Sequence, residues 1–253
     1  MEKTFVKGLN LLETLVLSDE PRGVTSLGQE LGLTKSNVHR LLQTLVAKGY
    51  VVQVPDSDKY QCSLKLWELG SVISERVELP KISRPYMEAL AAATQETIHL
   101  SILDGNEVLY IDKLDSPQPV RAYSHVGGRA PAYCVATGKA LLAYVPKDRL
   151  PAMFPEWVKF TPRTLSNLEE LEADLKKTRE QGYAINRGEW RDSVCGVAAP
   201  IFNAPRKVCG AIGISGPIDR LTPGVVRDFA PAVIDAAQKI SRALGFTGSY
   251  GSF

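Results

Sequence analysis

Residues 23–62 read GVTSLGQELGLTKSNVHRLLQTLVAKGYVVQVPDSDKYQC, and this stretch decides the first part of the fold. Val24, Leu27 and Leu31 place one apolar side on a short helix. Gly32 follows, at the point where a left-handed residue ends a helix. Thr34 then stands as an N-cap, its side-chain oxygen available to the free amides of a second helix. Val38, Leu41, Leu42 and Leu45 recur at i, i+3, i+4 and i+7, which is a single buried stripe. The alternating run Tyr50–Val54, a turn at Pro55-Asp56-Ser57-Asp58 and a return strand Lys59–Ser63 complete a hairpin. Helix, tight turn, helix and hairpin predict a winged helix-turn-helix, a module that lays its second helix in the DNA major groove.

The polar side of that second helix carries Ser36, His39, Arg40 and Gln43, with Lys35 and Asn37 towards its start. These are donors and acceptors suited to base edges and phosphates. Between Leu33 and Lys48 there are three cations and no acid. Arg40 and Gln43, with His39 and Ser36, are the expected base readers; Arg22, Lys35 and Lys59 are the expected phosphate contacts. An ordinary helical hairpin with a solvated face is the plainer alternative. The acid-free face followed at once by a hairpin favours DNA.

Outward from this module the chain is long enough, at 253 residues, for two domains with separate cores. The formal charge of +2 gives no global basic field, so DNA affinity has to come from a local patch and from several copies acting together. Cys62, Cys134, Cys195 and Cys209 are widely spaced, and His39, His99 and His125 lie far apart, so zinc-ligand spacing is absent and no metal or cofactor is expected. A disulfide framework is not expected in a chain with this much potential core, which makes a reducing cytoplasm the default. No apolar run reaches the length of a membrane span. Glu2 and Glu13 interrupt any likeness of the N-terminus to a signal peptide. Val6, Leu9, Leu12 and Val16 instead predict an amphipathic helix packed behind the DNA-reading pair.

Residues 64–78 predict a connector helix with Leu66, Leu69 and Ile73 on one side, closed by Pro80. Its apolar stripe and Trp67 need a partner, either a second copy of the chain or the chain's own DNA-binding module. Beyond it helices and strands alternate. A helix near 82–94 precedes a strand Thr97–Leu103, and Asp104-Gly105-Asn106 turns into Glu107–Lys113. A third strand is expected over Val120–Ser124, and a helix from Tyr133 to Tyr144. Ser166-Asn167-Leu168-Glu169 is a capping-box pattern for a helix that Gly182 stops. Strands Tyr183–Arg187, Val194–Phe202 and Lys207–Ser215 follow. Thr222-Pro223 opens a terminal helix, kinked by Pro231 and running to about Leu244. The expected organisation is an α+β chain: a DNA-binding domain over 1–63, a linker helix over 64–80 and a second domain over 81–253.

Three segments carry a resemblance that runs over nearly the whole chain: VTSLGQELGLTKSNVHRLLQTLVAKGYV (24–51), VGGRAPAYCVATGKALLA (126–143) and AINRGEWRDSVCGVAAPIFNAPRKVCGAIGISGP (184–217). In this order and spacing they resemble the IclR family of bacterial transcription regulators. The resemblance implies a winged helix-turn-helix, a linker helix and a GAF-like effector domain with a six-stranded sheet. It also implies a dimer, often paired into a tetramer, whose binding to double-stranded operator DNA responds to a small metabolite.

The family's small-molecule site maps onto three places. The first is the helix start at Val135, Ala136 and Thr137, where free amides and the positive dipole end would receive a carboxylate. Gly138-Lys139 is not a P-loop, because Tyr133 stands at the first glycine's place and Ala140 replaces the magnesium-holding hydroxyl residue. Gly138 has two open readings, ligand contact or tight helix–sheet packing. The second place is Asn186 with Cys195 and Gly196. Asn186 stands where the family often has an acid, and an amide both donates and accepts. For the Cys195 thiol, packing is favoured over reactivity, since no positive neighbour is evident in the sequence. The third place is Gly213 and Ser215, which share one strand face and leave room for a ligand. Trp190 and Tyr133 are candidates for shaping the pocket. His99, on the polar side of its strand, has the cavity within its reach as one reading, but it is left outside the site, because a lone histidine is more often structural.

The reading that follows is a ligand-responsive transcription regulator, a repressor of a catabolic operon controlled by a small organic acid, and not an enzyme. The alternative is an enzyme with an accessory DNA-binding domain. No Ser/His/Asp or Cys/His pattern, metal spacing or dinucleotide fingerprint supports it. A regulator that dimerises constitutively and senses nothing is a third possibility.

Overall fold

The protein is described by a computed structural model over residues 3–75, 78–122, 124–204 and 207–248. The chain divides into two compact units, residues 1–77 and 78–253.

In the first unit, α1 (Lys3–Val16), α2 (Val24–Leu31) and α3 (Lys35–Ala47) enclose a small core. Leu11, Leu15, Leu27, Val38, Leu42, Val51 and Tyr60 fill it. Gly32 adopts the left-handed conformation (φ 62°) and its N–H reaches the Gly28 carbonyl, which ends α2 as the sequence predicts. Thr34 caps α3 by accepting from the Asn37 N–H at 3.4 Å. The wing is β2 (Val51–Gln53) and β3 (Lys59–Cys62), antiparallel, with Val52 opposite Gln61. A two-residue strand β1 (Arg22–Gly23) adds to β3 and is too short to leave a sequence signal.

The phase expected for α1 is corrected. Leu11 and Leu15 are buried, whereas Leu9 and Val16 face solvent. The helix carries apolar residues on more than one side, so periodicity alone does not select the packed one. The connector is α4 (Lys65–Glu75). Pro80 does not close it. Pro80 lies in the first turn of α5 (Glu78–Thr94), where a missing N–H costs nothing because no intrahelical acceptor exists for it.

The second unit is built on one antiparallel sheet with the order β6-β5-β4-β9-β8-β7. Its strands are β4 (Thr97–Asp104), β5 (Glu107–Leu114), β6 (Arg129–Pro131), β7 (Ala184–Arg187), β8 (Val194–Phe202) and β9 (Val208–Pro217). The strand expected over Val120–Ser124 is absent among the described residues there; Arg129–Pro131 forms that edge instead, opposite Glu107–Leu109. Alternation along β8 sorts the core. Val197, Ala199 and Ile201 point to the layer that also holds Met87 and Leu90 of α5 and Val233, Ala237 and Ile240 of α9 (Pro223–Ala243). The other face of the sheet carries α6 (Ala136–Leu142), the short α7 (Leu150–Met153) and α8 (Leu168–Gln181), packed around Leu142, Leu150, Leu171 and Leu175.

The helix expected from Tyr133 to Tyr144 is broken. Ala132–Cys134 is a 3-10 turn, Val135 is extended (φ −125°, ψ 147°), and α6 begins only at Ala136. The capping of α8 is shifted by one residue. Asn167 accepts from the Glu170 N–H at 2.9 Å, and Glu170 reaches back to the Ser166 N–H at 2.8 Å. No helix among the described residues is long and apolar enough to cross a membrane.

Candidate functional site

The first unit presents one polar surface. Lys35, Ser36, His39, Arg40 and Gln43 are exposed on α3, with Asn37 half-buried at its start, while Val38 and Leu42 on the opposite side are fully buried. Lys59 is exposed at the start of β3. Arg22 behaves differently from the rest. Its guanidinium pairs with Glu30 at 2.6 Å and donates to Ser18 at 3.0 Å, so its charge is balanced within the unit. Lys35 and Arg40 on α3 and Lys59 on the wing have no such ion-pair partner among the described residues, whereas a phosphate at Arg22 would have to share the guanidinium with Glu30.

The second unit contains a small cavity of about 40 Å³. Residues far apart in sequence converge on it: Val135, Ala136 and Thr137 at the start of α6; Asn186, Val194 and Gly196 on β7 and β8; Ile214 and Ser215 on β9; His99 and Tyr110 on β4 and β5; Ala122 and Ser124; and the turn residues Trp190 and Arg191. Of the eight effector residues expected from sequence, six line it.

The other two do not. Cys195 alternates to the opposite face of β8, into the layer with Val197 and Ile212, and burial raises its thiol above the ordinary range. Gly213 shares the Ser215 face but is closed off by packing, since a Cβ there would stand 2.6 Å from the Ala198 Cβ. Gly138 is settled the same way. A Cβ at this position would lie 2.1 Å from the Ala132 carbonyl oxygen, so the glycine is what lets α6 turn back on the preceding segment.

Asn186 borders the cavity with its polar atoms already committed. Its Oδ1 accepts from the Gly188 and Glu189 N–H groups at 2.9 and 3.1 Å, and its Nδ2 donates to the Val194 carbonyl at 3.4 Å. This is an Asx turn, and the Asn-Arg-Gly sequence carried its signature. Thr137 accepts from the Ser101 hydroxyl at 3.3 Å. Tyr133 does not line the cavity; its hydroxyl donates to the Val158 carbonyl at 2.8 Å.

His99 is the residue that sequence reasoning set aside. It is only 5 % exposed, with Nε2 at 2.6 Å from the Ser215 hydroxyl and Nδ1 at 3.4 Å from the Ser124 hydroxyl. Burial, reinforced by the charge of Lys113, pushes its pKa down to about 3, so the ring is neutral at pH 7 and offers one donor and one acceptor. Tyr110 lies 4.9 Å from it, ring to ring, and burial pushes the phenol up to about 12. The wall is therefore uncharged apart from Arg191. The remaining thiols are equally quiet, with burial lifting Cys134 to about 12 and Cys209 to about 11. No group of three potential metal ligands occurs among the described residues.

A winged helix-turn-helix in one unit and a GAF-like domain with a small-molecule cavity in the other define the class: a ligand-responsive transcriptional regulator. The helix-turn-helix domain of IclR proteins matches residues 4–55, and the bacterial transcriptional regulator IclR C-terminal domain matches residues 72–242. The chain belongs to the IclR family. It is 36 % identical over 226 residues to the HTH-type transcriptional regulator KdgR of Escherichia coli, covering 88 % of this chain and 86 % of that one. It is 31 % identical over 247 residues to the transcriptional repressor IclR of the same organism, covering 96 % and 90 %. The crystal structure of Thermotoga maritima IclR superposes with a TM-score of 0.80 at 28 % identity, over 97 % of this chain and all of that one.

Proposed function

We propose that the chain represses a catabolic operon in the cytoplasm, as a dimer or a dimer of dimers, and that a small organic acid held in the second unit's cavity sets its grip on operator DNA. Arg40, Gln43, His39 and Ser36 read bases, Lys35, Lys59 and Arg22 hold the backbone, and Asn37 stands beside them at the start of α3. Two copies carry two recognition helices to half-sites about one turn of DNA apart, roughly 34–36 Å or a multiple of it. The acid sits against Val135, Ala136 and Thr137, with the neutral His99–Ser215 pair meeting its polar groups. It shifts DNA binding only by preferring one dimer geometry to another.

The observation that carries this reading is the convergence of three sequence-distant segments on one cavity: 135–137, 186–196 and 214–215. Its walls combine apolar area with a few fixed donors and acceptors, which is the usual make-up of a small-ligand site. The raised thiol pKa values and the neutral histidine supply no activated nucleophile, which weighs against the enzyme alternative. The test is a mobility-shift titration of the full chain on the DNA upstream of its own gene, repeated with small carboxylates and with the matching carboxamides. Release of the DNA by a carboxylate and not by its amide is the expected result. Indifference of a DNA-bound, folded protein to every acid refutes control by an organic acid.

A further inference from the structure

We propose that Arg191 is the cation that receives the acid group of the effector, and that Lys139, acting through Glu189, is the positioning residue that fixes Arg191 at the cavity. The proposal rests on the reading of the cavity as the effector site.

Three arginines surround the turn between β7 and β8, and two of them are engaged elsewhere. Arg187 approaches Asp174 at 3.7 Å, and Arg163 donates to the Asp192 carbonyl at 3.4 Å. Arg191 lines the cavity with its guanidinium 4.7 Å from the Trp190 ring centre, and no carboxylate of the described residues lies within ion-pair distance of it. Its charge is felt inside, where it opposes the upward push that burial gives the Tyr110 phenol. An unpaired guanidinium stacked on an aromatic face, at the rim of an otherwise uncharged cavity, is a ready partner for a carboxylate.

The turn that carries Arg191 is anchored from beneath. Lys139 is fully buried on α6, the helix whose first residues line the same cavity. Its ammonium donates to Asp174 Oδ2 at 2.7 Å and to Glu189 Oε1 at 3.0 Å. The second oxygen of Glu189 accepts the Arg187 N–H at 2.6 Å. A buried ammonium demands such partners, and an ion pair of this kind contributes more to a fixed geometry than to stability. The Thr161 and Thr164 hydroxyls donate to the Gly188 and Glu189 carbonyls at 2.7 and 2.5 Å. Glu189 is thus held at both oxygens and at its backbone, and Trp190 and Arg191 are the next two residues. Function as read from the sequence made no use of Lys139 beyond excluding a P-loop.

The test uses the full chain with Trp67 and Trp157 replaced by Phe, so that Trp190 is the one remaining tryptophan of three. Quenching of its fluorescence by iodide, an anion, is compared with quenching by neutral acrylamide. In Arg191→Ala the iodide constant falls about three- to fivefold, the size expected for losing one unit charge a few ångströms away in water, while the acrylamide constant holds. Arg191→Lys keeps most of it. In Glu189→Ala the iodide constant also falls. Loss of a negative charge alone would raise it, so a fall reports displacement of Arg191. Glu189→Gln, which keeps the length of the side chain but only one of its two acceptor oxygens, shows a smaller fall than Glu189→Ala. If the alanine variant does not fold, Glu189→Asp, one methylene short, is read in its place and shows a smaller fall. An iodide constant unchanged in Arg191→Ala overturns the anion seat, and one unchanged or raised in both Glu189→Ala and Glu189→Asp overturns the positioning role. If Arg191→Ala removes the iodide response while no carboxylate moves the native chain off DNA, the effector reading fails by itself and Arg191 receives no regulatory ligand.

Discussion

The face of α3 and the wall of the cavity use polar residues in opposite ways. On α3 the polar side chains stand in water, and Val38 and Leu42 behind them, flanked by the partly buried Leu41 and Leu45, hold the helix in place. Around the cavity, Arg191 at its rim apart, polar groups are held by partners within the fold: His99 to Ser215, Thr137 to Ser101, Asn186 to the turn and, beneath the wall, Lys139 to two carboxylates. The contrast follows from solvation. Water satisfies an exposed donor at no structural cost, so the α3 face is free to be chosen by its partner. A buried polar group without a partner costs about 1–3 kcal/mol, more if charged, so the cavity wall specifies its own geometry before any ligand arrives.

The largest way to break this contrast is at Lys139. Lys139→Met leaves Glu189 as a buried carboxylate without a cation and the part-buried Asp174 with Arg187 alone, and is expected to destabilise the second unit by about 3–5 kcal/mol, read as a fall in its urea midpoint. The same measurement on Arg40→Ala is expected to stay within about 0.5 kcal/mol of the native chain. A small loss at Lys139 would mean that the cavity region is as tolerant as the DNA face.

Protonation of His99 sharpens the same point. Its folded pKa of about 3 lies below the ordinary 6.5, so the unfolded chain binds the proton more readily. Stability from this group is fully present above pH 6.5 and is lost as pH falls through 6.5 towards 3. At about 1.4 kcal/mol per pH unit, the loss at pH 5 is about 2 kcal/mol. His99→Gln does not titrate, so the difference between native and variant stability curves should show this slope in that window. Parallel curves would mean that the ring takes up a proton in the folded state at its ordinary pKa.

How much the sequence revealed divides along the same line. The α3 region was legible because its signals are local: Gly32 after Leu31, Thr34 before Lys35, and a stripe at helical spacing. Six of the expected cavity residues, Ser215 among them, converge because the resemblance marked their segments. What escaped was non-local. The pairing of His99 with Ser215 spans 116 residues and depends on β4 lying beside β9. Lys139 reads in sequence as a helix-surface lysine, and nothing within several residues shows that Asp174 and Glu189 enclose it. Cys195 and Gly213 were misplaced for a simpler reason. Strand alternation says that neighbours face opposite ways, but not which way is the cavity or which gap a neighbouring Ala198 has already filled.

On the DNA side the expected effects are smaller and act on binding. Arg40→Ala should weaken operator binding about ten- to a hundredfold, the 1–3 kcal/mol typical of a lost base contact, and change affinity for random DNA little. Equal loss on both would make Arg40 a phosphate contact. Effector affinity, measured by calorimetry on the same preparation, should be untouched.

Thr34→Ala tests the one feature of α3 that its burial pattern does not already secure. The Thr34 oxygen accepts the Asn37 N–H and lies 3.2 Å from the Ser36 hydroxyl, so it organises the end of the helix from which Lys35, Ser36 and Asn37 project. Removing it should cost about 1 kcal/mol of stability in the first unit, and Thr34→Ser should restore it. If α3 is held by its apolar side alone, the thermal midpoint will drop while operator affinity follows only the folded fraction. If the cap also sets where the first turn points, affinity will fall further than stability accounts for, and the exposed face will have a fixed geometry of its own at that end.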